Sequence, residues 1–261
     1  MEEVDKQAIK NSIFEYLNKT YHPEFSSRVL YLTIMGSHAF GVSTPESDVD
    51  VYGCFMPRLK EIYPSQFGHI NGFDPEVKHQ HNIEFSLELD KKVDINLINL
   101  CSYYRLLKEN NPNILESVFT EPEDRIFVHS SFNKTLNWNQ KFLCQKLIPK
   151  FWGYCQSQIL KAQKNDTPGR DLKYYYHLVR LVNELEYILI FNNLNLQSNT
   201  KILTDIRQGL MTPQEVFNYF ENKKIIVEDL IKKTTLPKFP DNIFVKFTLN
   251  NIIKSYYENI W

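Results

Sequence analysis

Asp48 and Asp50 stand two residues apart in a segment that also carries Val49 and Val51. On a β-strand that spacing turns both carboxylates to one face and both valines to the other. Two carboxylates on a common face suit a hard divalent cation, which takes oxygen ligands. Earlier in the chain an apolar run ends in Gly36-Ser37. Glycine lets the backbone approach a ligand closely, so a strand ending in Gly-Ser offers N–H groups and a hydroxyl to a phosphate chain. With phosphate oxygens beside the carboxylates, two metal ions can activate an attacking hydroxyl and stabilise a departing pyrophosphate. A Gly-Ser turn alone is only a turn, and an Asp-x-Asp pair alone is most often a solvated face. Here the two follow each other across a small-residue turn, between apolar strands. The chain has no GxxxxGK[ST] run, so a P-loop does not account for the pattern.

The surrounding periodicities predict the elements that must hold these groups. Val4, Ala8, Ile13 and Leu17 give residues 3–19 the spacing of an amphipathic helix. Residues 28–35 (RVLYLTIM) form a run of strand length that stops at Gly36-Ser37, and residues 49–55 a second one, closed by Met56-Pro57. Residues 58–80 read as irregular. Residues 82–98 alternate apolar and polar side chains, strand-like, with Asp90-Lys91-Lys92 at a hairpin tip. Leu97, Leu100, Tyr104 and Leu107 then fit a helix that must end by Asn111-Pro112. Beyond about residue 130 the spacing predicts helices over 131–163, 170–191, 200–208, 213–233 and 242–259, broken by Pro149, Thr167-Pro168-Gly169, Gly209 and Leu236-Pro237. The expectation is an α+β chain: a small mixed-sheet lobe over residues 1–125, which carries the Asp-x-Asp pair and hence the expected catalytic chemistry, then a helical lobe over 126–261.

With 261 residues, 43% of them apolar, the chain can bury a sizeable core. The 30 Lys+Arg against 31 Asp+Glu exclude a disordered tail, a collagen-like repeat and a strongly basic DNA-coating protein. The near-neutral total hides a division: residues 1–125 carry 12 basic and 20 acidic side chains, residues 126–261 carry 18 and 11. Between Lys134 and Arg180, nine basic residues face only Asp166 and Asp171. A local basic groove for nucleic acid is therefore allowed. No apolar run is long enough to cross a bilayer. The N-terminus MEEVDKQAIK lacks the basic start and apolar stretch of a signal peptide, so a cytoplasmic protein without a membrane partner is expected. Cys54, Cys101, Cys144 and Cys155 show no metal-finger spacing and read as reduced, packed thiols.

The segment GSHAFG, followed by SDVDVYG, resembles the signature of the DNA polymerase β-like nucleotidyltransferase superfamily. More narrowly, residues 36–53 together with Asn111-Pro112-Asn113-Ile114-Leu115-Glu116, Tyr176-His177-Leu178-Val179-Arg180 and Ile206-Arg207-Gln208-Gly209 resemble a nucleotidyltransferase subfamily named after an RNA-repair-pathway member. The likeness runs over roughly residues 28–240. It implies an enzyme that uses Mg²⁺ (or Mn²⁺) and a nucleoside triphosphate, ATP among the candidates. Gly36 and Ser37 would hold the β- and γ-phosphates, with Ser47 in the same phosphate-binding set. Asp48 and Asp50 would be catalytic metal ligands. The superfamily adds a third carboxylate from a later strand, as metal ligand or base. Glu84, Glu88 and Asp94 all fit, and Asp94 is favoured because it directly precedes the helix leading to the Asn-Pro-Asn block.

On the helix at 170–191, Lys173, His177, Arg180 and Glu184 fall in one stripe, with Leu178, Leu181, Leu185 and Ile188 facing the core. Beside a metal–triphosphate site such cations would bind phosphate or stabilise the departing pyrophosphate; otherwise the stripe is a solvated face. The aromatics Trp138, Phe151, Trp152, Tyr154 and Tyr174–Tyr176 would stack on a base or fill the core. His38 could touch phosphate, His79-x-His81 lacks a third metal ligand, and Glu116 reads as a helix cap or a site residue. The expected reaction is transfer of a nucleoside monophosphate to an acceptor hydroxyl, an RNA or DNA 3′ end being favoured. The alternatives are nucleotidylation of a protein or small molecule, and a non-catalytic nucleotide- or RNA-binding module.

Overall fold

The computed structural model describes residues 5–58, 80–86, 92–164 and 170–258, with the side chains of 80–86, 170 and 171 excepted. Helix α1 (Lys6–Thr20) is capped by the Asp5 carboxylate, which accepts from the Ala8 N–H. Strand β1 (Val29–Met35) leads into a single helical turn, α2 (Gly36–Ala39), and then to β2 (Val49–Phe55). Strands β3 (Gln80–Ser86) and β4 (Lys92–Asn99) pair antiparallel. Together with β5 (Arg125–Val128) they form one mixed sheet in the order β3-β4-β2-β1-β5, in which only β2 and β4 run parallel.

The sheet has two differently covered faces. Val49, Val51, Val93, Ile95 and Leu97 point to the α1 side, where Ile9, Ile13 and Leu17 close a small core. The alternate residues of β2 and β4 point to the helical body of the chain. Every residue of β1 is buried, which is why its sequence is a continuous apolar run rather than an alternating one.

The helical body comprises α3 (Leu100–Lys108), α4 (Pro112–Ser117), α5 (Asn133–Asn137), α6 (Leu147–Gln163), α7 (Arg170–Phe191), α8 (Thr200–Arg207), α9 (Pro213–Lys233) and α10 (Asn242–Glu258). Helix α7 is its axis and packs on α6, α8 and α9. Its Leu178, Val179, Leu181, Val182, Leu185 and Ile188 lie in the same apolar core as Leu30, Tyr31 and Cys54 of the sheet. The α+β architecture is as expected from the sequence. Among the described residues no helix is long and apolar enough to cross a membrane, and all four cysteines are free.

Several local expectations need correction. Leu97 belongs to β4, not to the helix that follows, because Asn99 caps that helix by accepting from the Ser102 N–H. Residues 131–163 are not one helix: short turns around α5 precede α6. Pro149 sits in the first turn of α6, where no intrahelical N–H is required of it, so it does not break the helix. Strand β5 has no counterpart in the sequence periodicities, and it begins at Arg125, the last residue of the expected catalytic lobe. Residues 59–79 of the segment read as irregular, and the Asp90-Lys91 part of the hairpin tip, lie outside the described residues, while Gln80 already belongs to β3.

Candidate active site

At the end of β1 the chain must turn sharply enough for Gly36 to meet the neighbouring strand. Gly36 adopts φ +63°, and a Cβ placed there would lie 1.9 Å from Asp50 Oδ2. Glycine is therefore required twice, for the left-handed backbone and for the space. The first N–H groups of α2 have no acceptor within the helix, and Gly36 and Ser37 line an adjoining cleft of about 620 Å³. The turn is held from outside by α8. Thr200 Oγ1 donates to the Phe40 carbonyl at 3.2 Å, and Arg207 Nη1 donates to the Val42 carbonyl at 3.0 Å.

The register of the sheet brings the acids together. Met35 is opposite Asp50 across β1 and β2, and Asp50 is opposite Asp94 across the parallel β2 and β4. Asp48, Asp50 and Asp94 all line the cleft. Burial and then the like charges of Asp94 and Asp48 push the Asp50 carboxyl above its ordinary range, while Lys173 and Lys92 pull it back. The Lys92 ammonium lies 3.1 Å from Asp94 Oδ1. Glu84 stands opposite Asp94 on the far side, on β3, and Glu88 lies outside the described residues.

Whether this donor set fits a divalent cation can be judged from its chemistry. It supplies hard oxygen donors from three side chains, and their mutual repulsion at Asp50 is what a bound cation would relieve. As the side chains stand, no three His, Cys, Asp or Glu among the described residues are gathered closely enough to enclose an ion. Binding at Asp94 would first have to displace Lys92.

Ser47 lines the cleft and closes the turn ahead of β2: its hydroxyl accepts from the Thr44 N–H at 2.9 Å. Across from the acids, α7 supplies Lys173, Tyr176, His177 and Arg180. Lys173 is exposed. Burial, with Arg180 and Lys173 next in weight, pushes the His177 imidazole down to about 3, so it is neutral in the folded protein near pH 7.

Arg180 is only 5% exposed. Its Nη1 donates to Glu116 Oε1 at 2.5 Å and to both Glu184 oxygens at 3.0 Å, and its guanidinium lies 4.5 Å from the Phe40 ring centre. Burial opposes its charge, but the two carboxylates hold the guanidinium above its ordinary range. The stripe read from the sequence thus divides: Lys173 is exposed at the cleft, whereas Arg180 and Glu184 belong to a buried pairing network on its wall.

Several cleft residues escaped the sequence reading of the site. Arg207 lines it beside Tyr176, 5.8 Å from that ring's centre, and Tyr52, Asn113 and Glu46 complete the wall. The Tyr176 hydroxyl is buried and has no hydrogen-bond partner among the described residues. The usable signal was the pair of sequence blocks holding Asn113 and Arg207. Asn113 follows Pro112 at the start of α4, where Asn111 caps by accepting from the Ile114 N–H. Of the other aromatics, Phe151 is core, Trp138 is largely exposed and Trp152 packs on Phe220. His79 lies outside the described residues.

Residues 7–209 match the RNA repair pathway DNA polymerase beta family. A curated relative, an uncharacterized 38.9 kDa protein in the nrdC-mobD intergenic region of Enterobacteria phage T4, is 26% identical over 153 residues. That stretch is 58% of this chain and 42% of the phage protein, so the chain spans less than half the length of this relative. A solved nucleotidyltransferase-like protein from Exiguobacterium sibiricum 255-15 aligns over 95% of this chain and 76% of its own, at 13% identity and a TM-score of 0.33.

Proposed function

The chain belongs to the RNA repair pathway DNA polymerase beta family, a polymerase beta-like nucleotidyltransferase, and from that premise we propose that it moves a nucleoside monophosphate from a triphosphate to a nucleic-acid 3′ hydroxyl. The observation that carries the proposal is the convergence in one cleft of the Gly36-Ser37 turn, the acids Asp48, Asp50 and Asp94, and the α7 face with Lys173.

Gly36 and Ser37 bind the β- and γ-phosphates, with the Ser37 hydroxyl as donor and Ser47 fixing the approach of Asp48. Asp48, Asp50 and Asp94 would hold Mg²⁺ or Mn²⁺, which when bound acidifies the acceptor hydroxyl and neutralises charge on the departing phosphates. Asp94 is the third carboxylate and receives the acceptor's proton. The acceptor oxygen forms its bond to the α-phosphorus as the bond from that phosphorus to the bridging oxygen breaks. Pyrophosphate leaves with the electron pair. Lys173 places a positive charge where the leaving group gains negative charge. His177, held neutral, is a hydrogen-bonding group rather than a second cation there. Arg180 holds the wall that presents these groups.

The test is to incubate the protein with α-labelled triphosphates and Mg²⁺, offering RNA, DNA and protein side by side. Label on a 3′ end, lost in Asp48→Ala, is the expected result. Label on protein alone would replace the acceptor with a polypeptide, and transfer undiminished in Asp48→Ala would remove the catalytic assignment.

A further inference from the structure

Next to the cleft, α6 and α7 leave an open groove of about 480 Å³. Gly153, Ser157, Leu160 and Lys161 line it from α6, Lys164 from the cap of that helix, and Tyr174 from α7. The α6 residues recur at three- and four-residue intervals, so they share one helix face. A Cβ added to Gly153 would meet nothing within 4 Å, so none of the described residues covers that point of the face. Leu160 is 54% exposed between polar neighbours. Lys161 and Lys164 are exposed and pair with no carboxylate among the described residues.

The groove and the cleft lie to either side of the same stretch of α7. Tyr174 directly follows Lys173, a cleft residue, and Lys161 lies near enough to His177 to help hold its ring neutral. It also lies within the segment from Lys134 to Arg180 that has nine basic residues and two acidic ones.

Two exposed ammonium groups with no carboxylate partner among the described residues, an aromatic ring and an exposed leucine in one groove are the parts that hold a nucleic-acid strand whose bases are unstacked: cations for phosphates, the ring for a base face. A duplex keeps its base faces against one another and offers none to Tyr174 or Leu160. We propose that the α6–α7 groove seats the single-stranded end of the acceptor, with its phosphates on Lys161 and Lys164 and a base stacked on Tyr174. This inference rests on the transfer reading of the cleft, and it names the acceptor as a single strand.

The test uses the full chain and two separate readouts. Anisotropy of labelled single-stranded RNA and DNA oligonucleotides of about 12 nucleotides reads the groove, and a fluorescent triphosphate with Mg²⁺ reads the cleft. For Lys161→Ala/Lys164→Ala, the slope of log affinity against log salt is expected to fall by about 1.4, near 0.7 for each phosphate that is no longer neutralised. Tyr174→Ala is expected to weaken strand binding roughly 5- to 150-fold while Tyr174→Phe retains it. Triphosphate binding should not change in any of the three. A preference between the RNA and DNA strands would identify which acceptor uses the groove.

Variants that bind the single strand like the parent, equal binding of blunt duplex, or displacement of the strand by an acidic polypeptide as readily as by unlabelled strand would each overturn the proposal. If the parent binds the strand through the groove but takes up no triphosphate, the transfer reading fails and the groove stands. If triphosphate binds and the groove variants leave strand binding untouched, the groove proposal alone fails.

Discussion

Ionised Asp50 works against the fold that holds it. Burial and the neighbouring Asp94 and Asp48 raise its carboxyl above the ordinary range, so the proton is held more tightly in the folded state than in the unfolded chain. Its stabilising contribution is therefore present below the ordinary aspartate value of about 3.9 and is lost as pH rises through the raised one. Asp50→Asn should unfold at or above the parent's temperature at pH 7, with the gap closing as the pH falls into the ordinary aspartate range, while transfer is lost. Thermal denaturation across pH, alongside the transfer assay, checks both halves. A variant less stable than the parent at pH 7 would contradict the charge argument.

Gly36 makes the converse case. Gly36→Ala is expected to cost about 1–2 kcal/mol for the left-handed backbone. By pushing the Asp50 carboxylate aside it should also slow transfer on the order of 100-fold, read as kcat. At this scale the sequence was informative because period-two alternation depends only on neighbours: Val49 and Val51 had to turn inward and Asp50 away from them, while Asp48, which precedes β2, lines the same cleft. The burial of Arg180 was not legible: Glu184, four residues on, shares its stripe, but Glu116 is 64 residues away and nothing local announces that second partner.

Among the elements, the contact between α4 and α7 is the most exacting. One guanidinium serves two carboxylates, all three groups nearly excluded from solvent. Arg180→Met should leave two buried acids without their cation and lower stability by about 3–5 kcal/mol. Replacing Glu116 and Glu184 with Gln in the same chain should recover much of that loss. Urea denaturation of the single and triple variants measures both, and a triple variant no more stable than the single one would contradict the account.

Long periodic elements such as α7 and α9 were legible because their apolar spacing is sustained over many turns. Strand β5 was not. Its four residues are too few to show a period, and it is a strand because β1 offers it an edge. The turns before α6 were also hidden, since their side chains fill the core as helical residues would: Phe132, Leu136 and Phe142 are all buried.

For the whole molecule, the charge division between the two halves was visible in the composition, but the continuity of the core was not. The apolar cluster on the inner face of the sheet is the same cluster that contains the centre of α7. The sheet and helical body should therefore lose structure together. In urea, the fluorescence of Trp138 and Trp152 and the hydrogen exchange of β1 and β2 peptides are expected to report one midpoint. Two separated midpoints would show independent lobes.

The parallel pairing of β2 with β4 has a kinetic consequence. β1 with β2, and β3 with β4, are antiparallel pairs between strands near in sequence, and the β2–β4 pairing is the seam between them. Asp50 and Asp94 face each other across that seam, so neither pair alone contains the acid cluster. The seam closes a longer stretch of chain than either pair does and should form after them. Mutually repelling acids thus meet only once the apolar faces behind them are being buried, and catalytic competence is among the last properties the folding chain acquires.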